Sequence, residues 1–469
     1  MRAPYSPVQW LTRLSHEQIK ASHQVLGRIT FLLFILHAVF YFTFFVMSGF
    51  LAKRIKDWDV IWGIVSIILF ATISTTALGF IRRRNYRVFY ISHIAIANFI
   101  ILPMYLHVSH IRVFVYEIII VEALHLVFRA LRLKVYEGTI KILPGTNLVQ
   151  IRIPLPAMSP ALLWSPGQHV YLSRPWSKAK TPSLFQQWLM TNKTNPFTVA
   201  SIPAKDKELL LVARTLKGNT KYLAELARTL SQGGNGVQML PTAGGDIPIL
   251  PFALEGPYGA STRLPDLSDY DNVLLVAGGV GATFIVPVYR SIFEIHDPTR
   301  LGMNIRCIWA VQRVADTQWA FDASSKTSED KPEEDADAET NGDVLLHNPR
   351  NVEVYVTRPS GANLQAEAST SNVFAVDPDD DDEGEAIELQ ENERLLSMEE
   401  QMEKPRKGVV IKSGRPRLDQ IVQEVFSKGT RTAVICCGPK RLTDDLRKNV
   451  EVWVKRGHDV FWYDETFGW

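Results

Sequence analysis

The sequence predicts a multidomain chain of three successive architectures: a membrane α-helical bundle over residues 1–134, an antiparallel β-barrel over 135–262, and an open parallel α/β domain over 271–469 carrying a disordered acidic insertion at 322–405. Three observations carry that reading. Charge-free apolar runs are concentrated in the first third of the chain, short alternating strands broken by turns follow, and from Asp271 onward strands, glycine turns and helical segments alternate.

Residues 29–51, 60–81 and 88–111 contain no Asp, Glu, Lys or Arg, and each is long enough to cross a hydrocarbon core about 30 Å thick. A fourth stretch, 113–128, is apolar except for Glu117, Glu122 and His125, which it should turn inward, so four spans are expected. Arg82, Arg83, Arg84 and Arg87 crowd one short loop, and Arg129, Arg132 and Lys134 follow the last span on the same side, which makes that side cytosolic. Lys53, Arg54 and Lys56 opposite weaken the bias without reversing it. A secretory signal peptide is not evident before the first span.

Two of these segments, HQVLGRITFLLFILH (23–37) and HIAIANFIILPMYLH (93–107), begin and end with histidine at the same spacing of fourteen residues. One histidine in such a run is ordinarily an interfacial or satisfied core residue. The repeat says otherwise: fourteen residues make close to four helical turns, so His23 and His37, like His93 and His107, share one face about 21 Å apart, one toward each side of the bilayer. Two such helices packed together could clamp two haems, one above the other, each iron held by one histidine from each helix. His23 pairs with His93 toward the cytosol and His37 with His107 toward the outside. Pro103, one turn before His107, should kink its helix.

Charge is unevenly distributed. The insertion at 322–405 holds 24 of the chain's 49 acidic and 6 of its 51 basic residues, so the remainder carries a net +20. Runs such as SEDKPEEDADAE and DPDDDDEGEAIE cannot bury enough apolar surface to offset ordering entropy, although NVEVYVTR between them reads as a strand. The three cysteines, Cys307, Cys436 and Cys437, all fall on the cytosolic side, where a disulfide framework is not expected.

VYEGTIKILPGTNLVQIRIPL reads as a hairpin around Pro144 and Gly145, and further short strands end at EGPYG. In the α/β region the turn Gly278-Gly279-Val280-Gly281 lets backbone approach a pyrophosphate at a helix N-terminus, although alone it is equally well a tight structural turn. CGP (437–439) closes the last apolar strand in a similar way.

NPFTVAS (195–201), LKGNT (216–220), LEGPYG (254–259), GGVGATF (278–284), CGP and the terminal ETFGW resemble the ferric reductase family of transmembrane flavocytochromes, in its fungal-type branch, with the NADPH oxidases as relatives. The resemblance covers nearly the whole chain outside the insertion. It implies a domain holding two b-type haems in the plasma membrane, fused to a cytosolic reductase resembling ferredoxin-NADP reductase that uses FAD and NADPH. The electrons would go to ferric chelates or other small metal substrates, cupric ions among them; a partner in iron uptake is left open and no nucleic acid is expected.

The resemblance assigns residues as follows. Asn195, Pro196, Phe197, Thr198 and Val199 match the flavin motif, with Phe197 against the isoalloxazine and Thr198 near its reactive nitrogen. The commonest family form has His at the first of these positions, and Asn195 can donate a hydrogen bond but carries no charge. Lys217, Gly218 and Thr220 suit the FAD pyrophosphate. Glu255, Gly256, Pro257 and Tyr258 match the segment linking the two cytosolic domains. Gly278, Gly279, Gly281 and Thr283 meet the NADPH pyrophosphate, Arg313 is the candidate for its 2'-phosphate, and Cys437 and Gly438 sit near the nicotinamide. Trp469 matches a terminal aromatic that covers the flavin and moves for hydride transfer, so Cys437, Trp469 and Thr198 are the expected catalytic residues. Family members have two or more further spans upstream of the first haem helix, whereas Met1 lies close to it, so a truncated gene product is expected.

Two other classes share these features. An NADPH oxidase would deliver the electrons to oxygen, but the outer loops, about 51–59 and 109–112, are short and cysteine-free and leave little material to shield an oxygen site. A non-catalytic membrane scaffold has no need of intact flavin, nucleotide and histidine positions. The composition of the insertion makes it dispensable for electron transfer: a chain lacking residues 361–405 should reduce its flavin with NADPH at the rate of the full chain, and loss of reduction in folded, FAD-loaded protein would contradict this.

Overall fold

Unbroken apolar sequence sets the helices of the first part of the chain. The computed structural model describes residues 11–12, 16–132, 134–173, 195–215, 219–231, 239–240, 247–259, 264–295, 302–321, 346, 351–357, 409–429 and 431–465. The chain divides into two units, Met1–Leu133 and Lys134–Trp469. In the first, helices α1 (His16–Met47), α2 (Trp58–Thr76), α3 (Tyr86–Phe99), α4 (Ile101–His107) and α5 (Arg112–Arg132) follow in order, and α2 packs against α1, α3 and α4. Among the described residues, Ala21–Met47, Trp58–Thr76 and Val88–His107 are long and apolar enough to cross a membrane.

The third of these stretches comprises α3 and α4. Pro103 has no N–H to offer the Phe99 carbonyl and its ring crowds that oxygen, so the helix is interrupted at Ile100 and resumes toward His107. At the other end, the Asn85 side chain caps α3 by accepting the Val88 N–H at 3.2 Å. α5 forms over the fourth apolar stretch. Its ionisable groups do not all turn inward as expected: His125 is buried, whereas Glu117 and Glu122 are exposed, because α4 and the Ser109–Ile111 turn cover only one side of the helix.

The second unit opens with strands β1 (Lys134–Ile142) and β2 (Leu148–Pro154), an antiparallel hairpin whose turn places Gly145 at φ +69°. Then come β3 (His169–Ser173), β4 (Asn195–Thr198), β5 (Glu208–Arg214), helix α6 (Asn219–Ser231), β6 (Met239–Leu240) and β7 (Ile247–Tyr258). The sheet runs β4-β3-β7-β1-β2-β5, and a bridge from Val199 to Leu211 joins its two edges into a near-closed antiparallel barrel. α6 packs on it because Leu223, Ala224, Ala227 and Leu230 recur at helical spacing and enter the barrel core.

The α/β part has six parallel strands: β8 (Asn272–Gly278), β9 (Asn304–Val311), β10 (Val352–Val356), β11 (Val409–Ser413), β12 (Arg431–Cys437) and β13 (Asp459–Glu465). Helices α7 (Ala282–Ile295), α8 (Leu418–Phe426) and α9 (Lys440–Val454) accompany them in the order β11-β10-β9-β8-β12-β13. The order reverses between β8 and β12, which makes the carboxyl ends of those two strands the topological switch point. β10 forms within the NVEVYVTR segment expected to be a strand.

An ion pair and a close glycine approach are among the contacts that join the barrel to this sheet. Arg290 of α7 forms a bidentate pair with Asp206 of the barrel, both bonds at 2.7 Å, with the side chains only 7% and 11% exposed. Gly167, at φ +76° before β3, lies against Phe284 of α7; a methyl group there would stand 2.7 Å from the ring. Removing one partner of a buried pair leaves an uncompensated charge, at a cost of about 3–5 kcal/mol, whereas an apolar replacement of both is far milder. Arg290→Met should therefore lower the melting temperature of the solubilised chain, followed by tryptophan fluorescence, more than Asp206→Leu/Arg290→Met does; equal losses would show that the pair is not a coupled unit.

Candidate functional site

In the first unit the histidines meet in two pairs. The rings of His23 and His93 lie 6.1 Å apart, centre to centre, at an interplanar angle of 83°, and those of His37 and His107 lie 6.4 Å apart at 86°. α1 supplies one member of each pair because its length carries both positions on one face; α3 and α4 supply the others on either side of the break at Ile100. Two imidazoles hydrogen-bonded to each other at about 2.9 Å would bring their centres to roughly 5 Å. A metal atom between them, with bonds of about 2 Å on each side, sets the centres roughly 6 Å apart.

The donor set also fits haem. A porphyrin fills four positions on its iron and asks the protein for two axial ligands. Among the described residues no group of three or more His, Cys, Asp or Glu side chains could hold a bare metal ion. His93 Nδ1 is buried without a hydrogen-bond partner among the described residues. His107 Nδ1 lies 2.6 Å from the Asp59 carbonyl oxygen, so Nδ1 carries the proton and donates, which leaves Nε2 as the ligating nitrogen. The residues present therefore fit the two haems.

In the barrel, β4 lies beside β3, with Pro196 opposite Tyr171 and Thr198 opposite His169. Phe197 and Val199 belong to the barrel core. Pro196 and Thr198 alternate with them and point to the other face of the sheet. His169, Tyr171 and Tyr258 form an aromatic group beside that strand: His169 and Tyr258 stack with centres 5.8 Å apart, and Tyr171 meets Tyr258 edge-on at 5.0 Å. The Tyr258 hydroxyl donates to the buried Glu255 carboxylate at 2.6 Å, and Gly256 follows on β7. Thr220 is half-buried near the start of α6.

At the switch point, motifs far apart in sequence converge. Gly278 ends β8, Gly279 takes φ +53°, and Gly281 leads into α7. Methyl groups on Gly278 and Gly281 would run into Pro439 and into the Cys437 carbonyl, so these glycines let the β8 turn press against the CGP turn after β12. The Trp309 indole donates to the Gly279 carbonyl at 3.0 Å and the Thr283 hydroxyl to the Val280 carbonyl at 2.8 Å. Both carbonyls are thus fastened to the protein. Gly438 packs directly on Gly278.

Burial pushes the Cys437 thiol well above its ordinary range and that of Cys436 up to about 12, so both stay protonated. Arg313 follows β9 at the same carboxyl edge and heads the Val314–Thr317 turn, its backbone N–H donating to Asp316 at 3.2 Å. Burial raises the Asp316 carboxyl against the opposing pull of Arg313 and Arg214 nearby.

Lys217, Gly218 and Trp469 lie outside the described residues, as does the side chain of Asn195. Sequence reasoning missed His169 and Tyr171, although the alternation in HVYLS placed both on one face of a strand. It also missed Trp309, the Asp59 carbonyl and the pair Asp206–Arg290.

Family profiles match along the chain. "Ferric reductase like transmembrane component" covers residues 1–104, "FAD-binding domain" 132–262 and "Ferric reductase NAD binding domain" 270–451. Ferric reductase transmembrane component 3 of Saccharomyces cerevisiae is 24% identical over 98% of this chain and 58% of its own length. Probable metalloreductase AIM14 of Scheffersomyces stipitis is 24% identical over 95% and 73%, and ferric/cupric reductase transmembrane component 1 of Candida albicans is 24% identical over 94% and 51%. The chain thus spans little more than half the length of two of these relatives. Among solved structures, a ferredoxin NADP+ reductase from Neisseria gonorrhoeae aligns over 71% of this chain and 98% of its own at a TM-score of 0.35 and 12% identity.

A lost neutral hydrogen bond is worth about 0.5–1.5 kcal/mol, or roughly 2- to 12-fold in affinity. Trp309→Phe frees the carbonyl of Gly279, which is exposed and can turn to water, so dinucleotide binding, measured by titration on the folded variant, should weaken within that range, beside the loss of melting temperature that the vacated core space brings. Unchanged binding with a lowered melting temperature would make the indole purely a packing group.

Proposed function

The chain belongs to the ferric reductase transmembrane component family, with FAD- and NAD-binding domains, and we propose that it carries electrons from cytosolic NADPH through FAD and two b-type haems to ferric or cupric chelates across the plasma membrane. The observation that carries this reading is the meeting of His23 with His93 and of His37 with His107 at separations that suit one metal atom each.

When bound, FAD turns a two-electron donor into a source of single electrons, and the haems supply one-electron centres within a layer that charged carriers enter at high cost. The chain's own residues bind, orient and insulate. The backbone amides at Gly279–Gly281 and the start of α7 receive the NADPH pyrophosphate, with their carbonyls held away by Trp309 and Thr283. Thr283 thus serves through the turn it fastens. Arg313, at the same edge of the sheet, takes the 2'-phosphate. Cys437 borders the nicotinamide as a neutral thiol, so it shapes the site without attacking the ring.

On the flavin side, Pro196 and Thr198 lie on the face of β4 away from the barrel core, and Phe197 fixes that strand from within the core. Asn195, Lys217, Gly218 and Thr220 would hold the rest of the FAD, Gly256 and Tyr258 would close the strand beside it, and Trp469 would cover the ring in competition with nicotinamide. In the membrane, His23 and His93 hold the inner haem and His37 and His107 the outer one, since the arginines at 82–87 mark the cytosolic end of α3.

Replacing one histidine of each pair separates the two haems. His37→Leu or His107→Leu should halve the haem content and stop external ferric reduction while NADPH still reduces the remaining haem; His23→Leu or His93→Leu should leave no haem reducible by NADPH. A His37→Leu protein, folded and FAD-loaded, in which NADPH reduces no haem at all would overturn the depth assignment. Superoxide formation in place of metal reduction by the intact chain would favour the oxidase reading.

A further inference from the structure

The protein holds its four paired histidines unequally. His107 is gripped by α2, and the grip has two parts one helical turn apart. The Asp59 carbonyl oxygen accepts Nδ1–H of His107 at 2.6 Å. Four residues along, Gly63 lies under the same ring: a Cβ built there would stand 2.5 Å from Cε1, 2.8 Å from Nδ1 and 3.3 Å from Nε2 of His107. Carbon atoms in ordinary contact are about 3.5–4.0 Å apart, so an alanine would force the imidazole aside by about 1 Å.

Glycine is not the residue α2 needs for its own sake. Within a helix it costs about 1 kcal/mol relative to alanine, and Gly63 sits inside Trp58–Thr76 without a left-handed φ. What requires it is the space taken by the imidazole. In helical register the amide bonded to the Asp59 carbonyl belongs to Gly63, so helix and histidine share one acceptor and the ring is held against the backbone itself. Gly27 of α1 offers the contrast: a Cβ there meets nothing within 4 Å.

We propose that Gly63 and the Asp59 carbonyl form a seat that fixes the tautomer and ring plane of His107, making Gly63 a positioning residue for the outer haem alone. This rests on the bis-histidine reading given above. The hydrogen bond assigns the proton to Nδ1 and the lone pair to Nε2, which is the arrangement a haem ligand needs. The absent side chain at Gly63 lets the ring come close enough to make that bond while standing at 86° to His37.

The test uses the full chain purified in detergent, with haem measured per FAD so that unfolded material, which carries neither, drops out of the ratio. Wild type and Gly27→Ala should give two haems per FAD. Gly63→Ala should give close to one, or keep two with one of the two low-spin electron paramagnetic resonance signals shifted, because that signal depends on the angle between the imidazole planes. The remaining haem should stay reducible by NADPH. Two haems with both signals unchanged in Gly63→Ala would overturn the proposal, and so would equal loss of both, which would mark Gly63 as a general packing residue. A His107→Leu control that still binds two haems would overturn the bis-histidine reading itself, so the two failures are distinguishable.

Discussion

A hydrocarbon core about 30 Å thick admits neither free charge nor unpaired polar backbone, and the first unit is organised by having to set imidazoles inside it. A lone histidine there would be a buried polar group without water. Facing pairs solve this only if both helices keep both positions in register over four turns. α1 does so as an unbroken helix. α3 and α4 do so across the break that Pro103 enforces, and the two ring separations, 6.1 and 6.4 Å, remain nearly equal on either side of it. The break also frees α4 to lean on α2, which is where His107 finds its carbonyl partner.

Convergence in the second unit obeys a different constraint. A parallel sheet whose strand order reverses opens a crevice at the carboxyl ends of two neighbouring strands, and here those strands are β8 and β12. Their turns lie roughly 160 positions apart in the sequence, yet they touch through glycines that carry no side chain to keep them apart. The two turns then act as one surface. Trp309 from β9 ties a third strand to it, so the glycine turn is held by the sheet and not by the loop alone.

Much of this was legible in the sequence because it is periodic or punctuated. The fourteen-residue histidine repeat, the hairpin at Pro144 and Gly145, and the glycine turn after an apolar strand each announce local geometry, and the structure has elements at all three. What stayed hidden was contact between a side chain and distant backbone or charge. Asp59 acts through its carbonyl, which any residue has. Arg290 and Asp206 are separated by 84 positions with no pattern linking them. Trp309 reads as one more core aromatic. The inward turn expected of Glu117 and Glu122 failed for a related reason: the polarity of a helix does not reveal which of its faces a neighbour will cover.

The acidic insertion interrupts the α/β sheet on both sides of β10, and the sheet tolerates it for reasons of entropy and pinning. Loop closure costs only about 0.6 kcal/mol for each doubling of loop length, so the connections around β10 can be long if its register is fixed otherwise. Side-chain packing fixes part of it, with Val352 and Val354 in the core. Charge fixes the rest. Glu353 accepts from Arg306 of β9 at 2.7 Å, from Lys412 of β11 at 2.7 Å and from the Tyr355 hydroxyl at 2.9 Å, and Arg306 continues to Glu424 of α8. Burial pushes the Glu353 carboxyl up, but these donors outweigh it and hold the group below its ordinary range. The sign follows: the stabilisation is fully present above the unfolded carboxylate's pKa and is lost as pH falls through the lower folded value. One carboxylate thus ties together the strands on either side of both long connections, which is why an insertion of this composition can enter the domain without loosening the edge of the sheet.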